Sequence, residues 1–120
     1  MQFLLLSNPD DSLFDVASVE RAFRSCPQFT EVRLDDPCGS PVECQYEEPD
    51  SRTTIRLNGS RETIFVNHAW GAALTAVLLI QKALGRPLRV FNDDYTFDLT
   101  FSDIATVEEL EAAMDKAKTS

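Results

Sequence analysis

The chain has 120 residues, 43% of them hydrophobic and 26% charged, the make-up of one globular domain that can build a core without metal or disulfide staples. Its formal net charge of -9 disfavours nucleic acid and anionic membrane surfaces, both polyanions, and leaves basic proteins, small cations and neutral ligands as partners. The opening MQFLLLSNPDD lacks a basic segment and turns acidic soon after Leu6, and the longest apolar run is shorter than the ~20 residues that cross a bilayer. A cytoplasmic protein is therefore expected. Cys26, Cys38 and Cys44, an odd set without CxxC spacing, fit that reading better than a disulfide framework.

In chain order, residues 2–6 (QFLLL) read as a short buried strand, followed by a turn at SNPDDS. Val16, Val19 and Phe23 recur at helical spacing with Ala22 beside them, which predicts a helix from about Asp15 to Ser25, stopped by Pro27. FTEVRL (29–34) alternates, with Thr30, Val32 and Leu34 expected on one face and Phe29, Glu31 and Arg33 on the other. VECQY (42–46) gathers Val42, Cys44 and Tyr46. TTIRL (53–57) and ETIFV (62–66) flank NGSR, a strong local hairpin signal.

The stretch from Asn67 to Pro87 has both helix ends written into it: Asn67 as the N-terminal cap, Gly85 for a left-handed stop and Pro87 beyond. A helix over 68–84 is apolar on most of its circumference and must be covered on most sides, which makes it the central core helix. LRVF (88–91) and YTFDLTF (95–101) bracket Asn92-Asp93-Asp94 as a second hairpin, with Tyr95, Phe97, Leu99 and Phe101 on one side. Thr106 and Glu109 form a capping box before a last helix that runs to about Lys116. The order β-α-β-β-β-β-α-β-β-α with short connections predicts an α+β fold whose mainly antiparallel sheet packs on the central helix.

Motifs for chemistry are scarce. His68, the only histidine, sits beside Trp70 and is a general-base candidate only if a partner is placed on it. The cysteines lack zinc-ligand spacing, the paired acids fall at predicted turns, and the four glycines stand apart, so no metal, cofactor or phosphate loop is expected.

Charge is more informative. Between Asp93 and Asp115 there are eight acids and no base, and between Glu31 and Asp50 seven acids against Arg33. An acidic field of this kind steers encounter with basic proteins. In size, charge and layout the chain resembles the immunity proteins that bacteria use against secreted toxins, which implies a non-catalytic inhibitory role. The expected partner-binding residues are Asp93, Asp94 and Asp98, with Glu108, Glu109 and Glu111 as rim and Glu47, Glu48 and Asp50 as a second patch. Two alternatives stand beside this: a small-molecule or catalytic pocket near His68 and Trp70, and a homodimer formed through Leu78 or Leu79.

Overall fold

The computed structural model describes residues 3–35, 39–68 and 71–118. Its elements are β1 (Leu4–Ser7), α1 (Val16–Phe23), β2 (Phe29–Leu34), β3 (Val42–Glu48), β4 (Ser51–Leu57), β5 (Ile64–Val66), α2 (Ala72–Leu84), β6 (Leu88–Asn92), β7 (Asp98–Phe101) and α3 (Val107–Lys116). The strands form one seven-stranded sheet in the order β2-β3-β4-β5-β1-β6-β7, with every neighbouring pair antiparallel. The fold is α+β, as the element order predicts.

Alternation decides which face is covered. Leu4, Leu6, Val42, Cys44, Ile55, Leu57, Ile64, Val66, Leu88 and Val90 are fully buried, and they share one hydrophobic cluster with residues of all three helices. The intervening residues, such as Leu5, Glu43, Arg56, Phe65 and Arg89, look the other way. All three helices therefore lie on one side, and the sheet's second face is open.

α2 is the central helix, packed against α1 and α3 as well as β3 and β4. Its buried residues, Ala72, Ala73, Leu74, Ala76, Val77, Ile80 and Gln81, cover most of its circumference. The expected start at residue 68 with Asn67 as cap is corrected. Asn67 N–H donates to the Thr54 carbonyl and so prolongs the sheet. The N-cap is Gly71, at φ 62°, with no side-chain capping bond. That positive φ breaks the path into the helix, and glycine adopts it without the penalty of a Cβ. At the other end Gly85, at φ 70°, closes the helix with its N–H on the Gln81 carbonyl.

Two further expectations change. In β2 the alternation is broken by a bulge between Thr30 and Arg33, where Glu31 has φ 51°. Two residues there oppose one of β3. Phe29 consequently turns inward beside Tyr46, with ring centroids 5.1 Å apart, while Leu34 at the strand's far end stays 47% exposed. Tyr95 also leaves its predicted stripe: it lies in the β6–β7 turn at φ 56°, is 57% exposed, and stacks on Phe91 of the open face.

Candidate functional site

The register fixes where the expected site residues stand. Ile55, Val66, Leu4 and Asn92 form one transverse row, so the β6–β7 turn leaves the sheet at the same end as the β3–β4 hairpin. Asn67 and His68, just after β5, lie at this end too. Asp93 and Asp94 therefore share an end with Glu47, Glu48 and Asp50. β4 and β6 are three strand spacings apart and the β3–β4 hairpin reaches four residues further, so the two turns are roughly 20 Å apart.

The acids of α3 are not brought to the same place. The helix runs back along β7, and Lys118 just beyond it bridges to Phe97 at the start of that strand. Glu108, Glu109 and Glu111 thus sit near the opposite end, on the order of 15 Å away along a ten-residue helix. Lys118 pairs with Asp115 at 3.0 Å, which puts a base near the acidic turn.

The acids also differ in what already holds them. Asp98 accepts from Arg89 through both oxygens, Oδ1 from Nε at 2.8 Å and Oδ2 from Nη2 at 2.6 Å. Those hydrogen bonds and the guanidinium charge hold its carboxyl below the usual carboxylate range, against a smaller opposing effect of burial. Glu47 accepts from the Thr30 hydroxyl and lies 3.9 Å from Arg52, which also pairs with Glu31. Glu48 accepts from the Tyr46 hydroxyl at 3.1 Å; burial, and then this bond, push the phenol up to about 12. Asp50, Asp93 and Asp94 have no ion pair among the described residues. Asp93 keeps Oδ1 buried without a hydrogen-bond partner.

Asn92 builds the turn that presents Asp93 and Asp94. Its Oδ1 accepts from Thr96 N–H at 2.9 Å, its Nδ2 donates to Thr96 Oγ1 at 2.6 Å, and its carbonyl accepts from Tyr95 N–H at 3.1 Å. The turn is legible in the sequence but this buried side chain is not; its signal is an asparagine at the end of a strand.

His68 lies outside α2, with Nδ1 3.1 Å from the hydroxyl of the nearly buried Thr53. Ser51, Arg52, Thr53, His68, Gly71, Ala72 and Ala73 line a cavity of about 130 Å³ there. Ligand pockets ordinarily measure ~300–1,000 Å³. Trp70, the other half of that expectation, lies outside the described residues, as does Cys38. A larger cavity of about 640 Å³ stands at the far end, where Gln81, Lys82, Gly85 and Arg86 face Ser102, Asp103, Ile104 and Ala105. No group of three or more histidine, cysteine, aspartate or glutamate side chains suited to a metal ion occurs among the described residues. No described helix is long and apolar enough to cross a membrane.

Compared with known proteins, the chain matches no family model, no curated protein and no solved structure.

Proposed function

We propose that the protein acts without catalysis, by binding a basic protein through the acidic end of its sheet, in the manner of an inhibitor or immunity protein. One observation carries this reading: Asp50, Asp93 and Asp94 stand at the same sheet end with no ion pair among the described residues. Unpaired carboxylates on turns keep their full field for an incoming partner, and the net charge of -9 adds to it. An interface patch of ordinary size is roughly 30 Å across, so one partner can touch both turns. Asp98 contributes little, because Arg89 offsets its charge, and the acids of α3 belong to a separate patch.

The test is affinity capture from the source cell's lysate, washed first at low and then at high salt. A basic protein recovered in near-equal amount and released by salt is the expected result. The combined Asp50→Lys, Asp93→Lys and Asp94→Lys variant should lower affinity for it about tenfold or more at low salt, while Glu108→Lys with Glu111→Lys changes it little. Equal loss from both variants would disprove the assignment to this end. Capture that resists salt would move the interface to apolar surface.

A further inference from the structure

α2 and the β7–α3 loop enclose the larger cavity, at the end of the sheet away from Asp50, Asp93 and Asp94. Two turns of the chain create it. Gly85 ends α2 at a left-handed φ and Pro87 cannot prolong the helix, so the chain drops into β6. Phe101, the last residue of β7, pairs with Leu88, the first of β6, and the loop then runs through Asp103, at φ 57°, to α3. The space between measures about 640 Å³, within the ~300–1,000 Å³ of ordinary ligand pockets and well above the 130 Å³ beside His68.

Groups of both signs line it with bonding capacity to spare. Gln81 is 8% exposed; its Nε2 donates to the Arg86 carbonyl at 3.0 Å, while its Oε1 accepts no hydrogen bond among the described residues. That oxygen is not among the side-chain atoms shut off from solvent, so it opens into the cavity that Gln81 lines. A carbonyl oxygen held in this way can accept from a ligand donor. In the last turn of α2 the Gln81 carbonyl takes the Gly85 N–H, and those of Lys82, Ala83 and Leu84 take none among the described residues. They form the negative end of the helix. Asp103 adds a carboxylate from the facing loop, and Lys82 and Arg86 add cations from the helix side. None of these three has an ion pair among the described residues.

We infer that this cavity binds a small zwitterion with a free ammonium and a free carboxylate, an amino acid or a short peptide. The ammonium donates to Gln81 Oε1 at the negative end of α2 and faces Asp103. The carboxylate goes to Lys82, with Arg86 beside it, and the apolar part of the ligand lies against Pro87, Ile104 and Ala105. The charges select this class. A simple anion would meet Asp103, the helix carbonyls and a net charge of -9, and a simple cation would meet Lys82 and Arg86. A ligand of both signs answers each group with its opposite. The acidic turns stand at the other end of the sheet, so this site and the capture of a basic partner succeed or fail separately.

Amide NMR of the full chain, titrated with tri-alanine at neutral pH, tests the site. The signals of Gln81, Lys82, Gly85, Ser102 and Asp103 should shift and saturate at about millimolar peptide, with those of His68 and Asn92 unmoved. N-acetylated tri-alanine lacks the ammonium and tri-alanine amide lacks the carboxylate, and each should bind about tenfold or more weakly. Lys82→Ala should weaken tri-alanine but not its amide, and Asp103→Asn should weaken tri-alanine but not its N-acetylated form. Both side chains are exposed, and asparagine tolerates the positive φ of position 103, so both variants should keep the fold. L-Alanine run alongside separates the two sources: binding as tight as that of tri-alanine assigns a free amino acid, and weaker binding assigns a peptide. No shift with either at about 20 mM would overturn the inference. So would equal binding of all three forms of tri-alanine, or variants that keep the wild-type preference for both charged ends.

Discussion

Arg89 shows how one residue can offset the charge of another. Its guanidinium grips Asp98 and lies over Phe91, and the bond to Asp98 raises its own pKa above the ordinary value. The carboxyl of Asp98 is correspondingly lowered from 3.8. A lowered folded pKa means stability that is fully present above the unfolded value and is lost as pH falls through the folded one. Asp98→Asn should therefore cost up to about 1 kcal/mol at neutral pH, the upper range for an exposed pair. The cost should shrink as pH falls below 3.8 and through the lowered folded pKa, and denaturant melts at several pH values measure both. Cys44 gives a second test at this scale. Burial pushes its thiol up to about 12, so at pH 8 it carries almost no thiolate and stands behind the sheet as well. Alkylation followed by peptide mapping should leave Cys44 unmodified in the native protein and modify it on unfolding, while half-buried Cys26 reacts before it.

Among the elements, ends were legible where a side chain makes them. Asp15 caps α1 by accepting from Ser18 N–H, and Thr106 caps α3 by accepting from Glu109 N–H at 3.1 Å. Both follow from residue types that satisfy orphan helix donors. Thr106→Ala should cost about 1 kcal/mol. Gly85→Ala should cost a similar ~1 kcal/mol through its left-handed φ alone, since an added Cβ meets nothing within 4 Å. Guanidinium melts of the two variants give both values. The start of α2 was misplaced for a physical reason. Asn67 has the right chemistry for a cap, but its N–H is used by Thr54 across the sheet, and no local pattern shows that long-range bond. The bulge in β2 is of the same kind, because register against β3 decides it and the alternation of FTEVRL does not.

For the whole molecule, the sequence showed the class of fold and the inward residues of β3 and β7, because burial on one face imposes period two. Strand order was not legible, and with it went the grouping of the acids. Asp93 and Asp94 join Glu48 and Asp50 at one end, and Glu108 and Glu109 lie at the other, only because β6, β7 and α3 follow one another in alternating directions. An apolar row on the open face was hidden in the same way, since Leu5, Phe65 and Phe91 are far apart in the chain and meet only through pairing. One consequence concerns the order of events during synthesis. β1 is made before β5 and β6, which are its neighbours in the sheet. It must wait for residues near Asn92 to leave the ribosome before both its edges are paired. Until then Leu4, Leu5 and Leu6 form an apolar strand with open hydrogen-bonding groups, suited to pairing with another chain. The nascent protein is thus exposed to misassociation at β1 until that closure, and non-local closure of this sort makes folding slow as well.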